Sequence, residues 1–233
     1  MTREEYIKNV LNTYRIVTVF ADKNDCKTIR LRHKELCKDM VLHSFPNQLS
    51  IYEKLCKIKM PNLPEIYDAI TMDDGLIVFE EYIDGMNIAQ IMESGRYRYS
   101  GAKKVLVGVC NALFILHKYG FVHRDIKPEN VMVDKTGRVV LIDFNASRKM
   151  SVNSRDTVIM GTVGYVSPEQ LGILQSDERT DIYALGVLLN VMITGKHPSE
   201  KVASGRVGRI VRKCTNVNPN DRYQSVKKFM LTL

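Results

Sequence analysis

Phe121-Val-His123-Arg124-Asp125-Ile-Lys127-Pro-Glu-Asn130-Val-Met132 is the stretch from which the rest of this 233-residue chain is read. Before it, Val105, Leu106, Val109, Leu113 and Leu116 recur at helical spacing between Tyr99 and Tyr119, and Gly120 stands where a helix stops. After it, two apolar runs, Val131 to Val133 and Val139 to Ile142, flank the turn Asp134-Lys-Thr-Gly137 as a hairpin does. The pattern sets one carboxylate, Asp125, in a loop, with an ammonium two residues on and an amide five residues on. A second carboxylate, Asp143, follows the hairpin and returns beside Asn130. Such a set can hold a hard metal ion, balance phosphate charge and orient a hydroxyl.

The stretch resembles the catalytic loop of protein kinases, H-R-D-x-K-x-x-N, and Asp143-Phe144 stands where their metal-binding D-F-G begins. The resemblance implies an α+β, two-lobed kinase-like fold. It has a small antiparallel N-lobe with one helix and the hinge over residues 1–83, and a mainly helical C-lobe over 84–233. It implies ATP and Mg²⁺ as cofactors and a protein hydroxyl as acceptor. Asp125 orients the acceptor hydroxyl, Lys127 neutralises charge on the transferred phosphoryl, and Asn130 and Asp143 hold metal. Lys127 resembles the serine/threonine branch. Asn145 replaces the family's Gly, and Asn is one of the few residues that tolerate a left-handed backbone there.

Further along, Ser147 to Met160 matches the activation loop, with Ser154 and Thr157 as candidate phosphosites and Arg124 as a candidate phosphate partner. Gly161-Thr162-Val-Gly164-Tyr165-Val-Ser167-Pro168-Glu169 resembles the segment ending in A-P-E. There Thr162 reaches the catalytic Asp, and Glu169 pairs with a late Arg, here Arg222. Arg179 to Leu189 resembles the central helix, with Asp181 bracing the catalytic-loop backbone, and the helix ends near Gly195. Between His197-Pro198 and the run Val207, Ile210, Val211 there is little room for the extra helix that kinases use to dock partners. The last periodic segment runs from Tyr223 to Leu231.

The first third departs from the family. Thr2 with Glu5 reads as a capping box for a short amphipathic segment through Tyr6, Val10 and Leu11. Strands are expected over Tyr14 to Phe20, Thr28 to Arg32, Lys38 to Ser44, Ile66 to Thr71 and Leu76 to Glu81. Pro46 is expected to open a helix with Ile51, Leu55 and Ile58 on one face. No Gly occurs from Ala21 to Thr28, where kinases carry their phosphate-cradling glycine loop. His43 occupies the third-strand Lys position, after Val41, and Ile51 occupies that of its helix Glu. Cys26-Lys27-Thr28-Ile29 is similar to the second strand of the with-no-lysine kinases, which would make Lys27 the phosphate ligand if Ile29 and Leu31 cover a nucleotide. The alternative is an exposed turn lysine. Glu80 stands at the gatekeeper position. Glu81 to Ile83 resemble the hinge that holds adenine through backbone groups, and Met132 is a further nucleotide-binding candidate of the resemblance.

Composition narrows the classes. Hydrophobic residues make up 45% and charged residues 26%, ordinary globular values, and no run approaches the roughly 20 apolar residues of a membrane span. The N-terminus has no apolar signal core. The five cysteines are scattered and lack C-x-x-C spacing, as reduced structural thiols do. A soluble, cytoplasmic protein is expected. The charge is +8, from 34 basic and 26 acidic residues; Lys and Arg are spread over the whole length, and a solvated basic surface is expected rather than a nucleic-acid or membrane partner. Two functions follow from the resemblance. One is a serine/threonine kinase with weak or atypical nucleotide binding. The other is a pseudokinase that binds or scaffolds without turnover.

Overall fold

The computed structural model describes residues 1–150, 161–162, 164–171 and 176–233. The chain divides into two compact units, Met1–Ile83 and Asp84–Leu233. Ser154 and Thr157 lie outside the described residues.

The first unit is a five-stranded antiparallel sheet with two helices, one more than the resemblance implies. Its elements are α1 (Arg3–Thr13), β1 (Tyr14–Lys23), β2 (Cys26–His33), β3 (Asp39–Phe45), α2 (Ser50–Leu55), β4 (Ile66–Met72) and β5 (Gly75–Glu81). The strand order is β1-β2-β3-β5-β4. A full capping box starts α1: the Glu5 amide donates to Thr2 Oγ1 at 3.3 Å, and the Thr2 amide donates to Glu5 Oε2 at 2.8 Å. Tyr6, Ile7, Val10 and Leu11 of α1 then pack on Ile29, Leu31, Leu42, Met72 and Ile77, the core of one sheet face.

The β1–β2 turn is tighter than expected. Strand β1 runs on to Lys23, and only Asn24 (φ 53°) and Asp25 (φ 60°) turn the chain. Two left-handed residues are what a two-residue hairpin loop requires, and Asn and Asp adopt that backbone more readily than other side chains. Buried Arg3 of α1 fixes the turn, donating to the Asp25 carbonyl at 2.9 Å and to its carboxylate at 2.6 Å.

Helix α2 is shorter than expected at both ends. Gln48 reaches the Gly75 carbonyl at 2.5 Å and accepts from Thr71 Oγ1, which keeps residues 46–49 outside the helix. Past Leu55, Lys57 and Ile58 bond three residues back, and Pro61 and Pro64 follow.

The second unit holds β6 (Gly85–Asn87), α3 (Ile88–Glu93), α4 (Tyr99–Lys118), β7 (Phe121–Val122), β8 (Val131–Asp134), β9 (Val139–Leu141), β10 (Arg148–Lys149), α5 (Glu178–Thr194), α6 (Gly205–Cys214) and α7 (Val226–Met230). Residues Ala102, Leu106, Val109, Cys110, Leu113 and Leu116 of α4 are buried. Helix α4 is long and apolar enough to cross a membrane by length and composition, and these residues carry that apolar character into the core. Gly195 ends α5 in the left-handed region at φ 71°. Gly186 lets α5 and α6 touch, because a Cβ there would stand 2.3 Å from Cys214 Cβ. No helix occupies the segment between Thr194 and Gly205, and the last helix is shorter than its periodic segment.

Candidate active site

The catalytic loop is fixed from both sides. Helix α4 delivers it through Gly120 (φ 77°) and the two-residue strand β7, which pairs with β10. From α5, the fully buried Asp181 accepts the His123 amide at 3.0 Å and the Arg124 amide at 2.9 Å. Arg124 is buried with φ 70°, a conformation that a non-Gly residue keeps only when its surroundings hold it. Asp181 is held in turn by His117, whose Nε2 lies 2.8 Å from Oδ2, while Glu178 stands 3.6 Å from the other ring nitrogen. Burial opposes the His117 charge, but hydrogen bonds to Asp181 and Glu178 outweigh it and raise its pKa to about 9.

His123 is the opposite case. Burial holds its imidazole below the ordinary value, against the pull of Asp181, Asp143 and Asp125. Its Nδ1 accepts the Asp125 amide at 3.3 Å, so Nε2 carries the proton and donates to the Ile142 carbonyl at 3.3 Å. The ring packs edge-on to Phe144 at 5.4 Å.

Asp125 gathers four donors. Oδ1 accepts the Thr162 amide at 3.0 Å and the Thr162 hydroxyl at 2.8 Å. Oδ2 accepts Asn130 Nδ2 at 2.9 Å and lies 2.8 Å from Lys127 Nζ. Lys127 also donates to Thr162 Oγ1 at 2.6 Å. Burial would raise the Asp125 pKa, but hydrogen bonds from Lys127 and Thr162 and the Lys127 charge prevail and lower it. The carboxylate is therefore ionised at neutral pH.

A second buried framework ties the segment after Thr162 to the catalytic loop. Arg222 grips Glu169 through two bonds, at 2.6 and 2.9 Å, with both residues only 2% exposed. Thr180 adds a donor to Glu169 at 2.9 Å. The next residue, Gln170, donates to the Arg124 carbonyl at 2.9 Å and ties this segment to the catalytic loop. His117, Gln170 and Thr180 were not singled out from sequence. Gln170 and Thr180 adjoin recognised motifs, and His117 lies on a helix read only for its apolar period.

The β8–β9 hairpin closes with the Ile142 amide donating to the Asn130 carbonyl at 3.0 Å, which brings Asp143 alongside Asn130. The left-handed residue is Asp143, at φ 65°, and not Asn145 as expected; Asp adopts that conformation as Asn does. Met132 lies on β8 between Asn87 of β6 and Val140 of β9. Asn130 directs its Nδ2 at the Asp125 carbonyl and carboxylate, so Oδ1 is the side-chain oxygen it retains for a cation. No cluster of three or more His, Cys, Asp or Glu side chains fit for a metal occurs among the described residues. One amide oxygen and one carboxylate suit Mg²⁺, which keeps most of its waters and takes phosphate oxygens as ligands.

In the N-terminal unit the residues assigned to nucleotide divide between two sheet faces. Register pairs Thr28 and Val78 with His43, and Arg30 and Glu80 with Val41, so these six share one face. Lys27 and Ile29 pair with Ser44 and Leu42 on the opposite face, and α1 covers Ile29 and Leu31. The condition under which Lys27 would serve as a phosphate ligand is thus not met. Lys27, 37% exposed, pairs instead with Asp22 at 3.3 Å. His43 shares a 3.1 Å hydrogen bond with Thr28 through Nδ1 and stacks on Phe45, which stacks on Tyr52 of α2. Its Nε2 stands 3.6 Å from Glu80 Oε2, and neither buried atom has a hydrogen-bond partner. Ile51 is buried at the helix-Glu position. Of the hinge groups, Ile83 is buried, and the Glu81 amide is already taken by the Glu65 carbonyl at 2.8 Å.

A model of the protein kinase domain matches residues 18–230. This chain belongs to the protein kinase family. The kinase domain is 30% identical over 202 residues to a probable serine/threonine-protein kinase of Clostridium perfringens, covering 76% of this chain and 30% of that protein. It is 33% identical over 141 residues to the serine/threonine-protein kinase PrkC of Bacillus subtilis, covering 59% of this chain and 22% of that protein. A probable serine/threonine-protein kinase of Corynebacterium efficiens is 35% identical over 153 residues, or 62% of this chain and 23% of that protein. The kinase domain described here spans less than a third of the length of these relatives.

Proposed function

We propose that this kinase domain transfers the γ-phosphate of ATP to serine or threonine hydroxyls of a protein, with atypical handling of the nucleotide. The observation that carries this reading is the ionised Asp125 carboxylate, held by Lys127, Thr162 and Asn130 at 2.8 to 3.0 Å. An acceptor hydroxyl displaces one of these donors and hands its proton to Asp125 as the O–P bond forms. The bond from γ-phosphorus to the bridging oxygen breaks, and ADP leaves. Lys127, once shared with the acceptor site, offsets charge on the moving phosphoryl. Asn130 and Asp143 hold Mg²⁺, which when bound supplies charge neutralisation at the phosphate oxygens. Val41, His43 and Ile83 of the first unit and Met132 of the second are the candidate nucleotide contacts, each by its position in the family's motifs.

Mg²⁺-dependent transfer from labelled ATP to the protein itself or to a test protein checks this, with Asp125→Asn and Asp143→Asn abolishing it. A second reading, a module that binds without turnover, draws on His43 beside Glu80 where the family has a fixed cation. No transfer, together with no ATP-induced thermal shift, selects that reading.

A further inference from the structure

The net charge of the chain is not spread along it. Residues 196–233 hold nine Lys and Arg against two Asp and Glu, a net +7 out of +8. Six of these cations, Arg206, Arg209, Arg212 and Lys213 on α6 and Lys227 and Lys228 on α7, are exposed. None has a carboxylate within ion-pair reach among the described residues. Arg206, Arg209 and Arg212 recur every three residues, one side-chain row along the helix with steps of about 4.5 Å.

Helix stability accounts for only part of this row: Arg212 lies in the last turn, where a cation is favoured, whereas Arg206 and Arg209 lie outside it. Like charges at this spacing repel by a few tenths of a kcal/mol per pair. Helix α6 has no acidic residue in its first turn and no side-chain cap from Ser204. Its first residue, Gly205, sits at φ 60°, and Arg206 follows at the end where a helix favours negative charge. The buried face supplies what holds the helix: Ile210, Val211 and Cys214, with Gly208 against the Ala203 carbonyl.

We propose that the α6 row is a docking surface for an acidic segment of a protein substrate. Charge complementarity selects an anionic partner, and the arginine fork pairs carboxylates two bonds at a time. A membrane-lying helix needs an apolar face for the bilayer, and here that face is buried in the core. A single nucleic-acid strand needs aromatic platforms, and the Tyr223 ring is covered by Lys213 at 4.7 Å. The absence of a helix between Thr194 and Gly205, where kinases carry a docking helix, leaves recognition to another surface. The substrate half of this inference rests on the kinase reading above; the binding half does not.

The test uses the full chain without ATP, a fluorescent deca-glutamate peptide, a neutral peptide of equal length, vesicles containing phosphatidylserine, and single-stranded DNA. Expected is saturable binding of the glutamate peptide in preference to the other three. Binding weakens with salt and falls on the order of tenfold in Arg209→Glu/Arg212→Glu. The milder Arg209→Gln/Arg212→Gln pair, checked for an unchanged melting temperature, reproduces the loss in smaller degree. With ATP present, an acidic tag on a serine peptide lowers KM in the wild type but not in the variants, while transfer to the untagged peptide is equal. Tighter binding of vesicles or DNA than of the peptide, or peptide binding indifferent to both variant pairs, overturns the proposal. Peptide binding without any transfer leaves the docking surface standing and sinks the kinase reading.

Discussion

Asp125 and His43 are both buried, and both stand where the family places an ionised group, yet their surroundings differ. Asp125 receives four donors at 2.8 to 3.0 Å. His43 has one hydrogen bond, to Thr28, and its other nitrogen faces Glu80 at 3.6 Å with neither atom satisfied. A buried polar group without a partner costs about 1–3 kcal/mol, so a folded protein keeps few of them. The catalytic loop is complete as it stands. The His43 face has no fixed cation at that position, and two of its buried polar atoms, His43 Nε2 and Glu80 Oε2, are left without hydrogen-bond partners.

Perturbations can break this contrast. The largest effect is expected at the acceptor site: Asp125→Asn lowers transfer by roughly 10³-fold or more with the thermal midpoint little changed, measured with labelled ATP. Next is the frame beneath it. Glu169→Ala strands the buried Arg222 guanidinium, and chemical denaturation is expected to show a loss of about 3–5 kcal/mol.

His117 comes third, and its effect depends on pH. Its folded pKa is raised to about 9 from an ordinary 6.5, so its contribution is full below pH 6.5 and is lost as pH rises through 9. The ceiling is about 3 kcal/mol. In His117→Asn, stability measured across pH 6 to 10 is expected to lose that fall; an unchanged slope would assign the fall to other groups.

Smaller effects test the other unit. His43→Lys restores a fixed cation beside Glu80 and is expected to raise ATP affinity about tenfold, read by thermal shift or titration calorimetry. Lys27→Met is expected to change nucleotide affinity less than twofold and stability by less than about 0.5 kcal/mol, because its pair with Asp22 is exposed. A loss with Lys27→Met and none with His43→Ala would reverse the assignment of the two faces.

Where the chemistry is local in the chain, the sequence was sufficient. Residues 121–132 carry the family's loop motif in one unbroken run, Thr2 and Glu5 announce α1, and apolar spacing marks α4 nearly to the residue. The Glu169–Arg222 pair was legible because both ends lie in recognisable motifs. Strand alternation correctly set Lys27 with Ile29 and Leu31, but a period of two says only which residues share a face. Which face is covered depended on α1, whose apolar side could have packed elsewhere. The same limit applied to α2: no periodicity shows that Gln48 will cross to the Gly75 carbonyl and shorten the helix. Charge is a different case: Lys and Arg occur along the whole length, but a total of +8 conceals one segment, residues 196–233, that carries nearly all of the excess.

The clasp between Glu169 and Arg222 also bears on the order in which the protein can form. Strands β1–β2 and β4–β5 pair with chain neighbours, so most of the N-terminal sheet closes through short loops. The clasp spans 53 residues, and the Asp181 bond to the His123 amide spans 58. Contacts between sequence neighbours form early, and distant ones wait for the larger loss of chain entropy. During synthesis the first unit can therefore fold well before Arg222 leaves the ribosome, and Glu169 lacks its ion-pair partner until then. A nascent chain halted before residue 222 would carry a finished sheet and an unfinished active site.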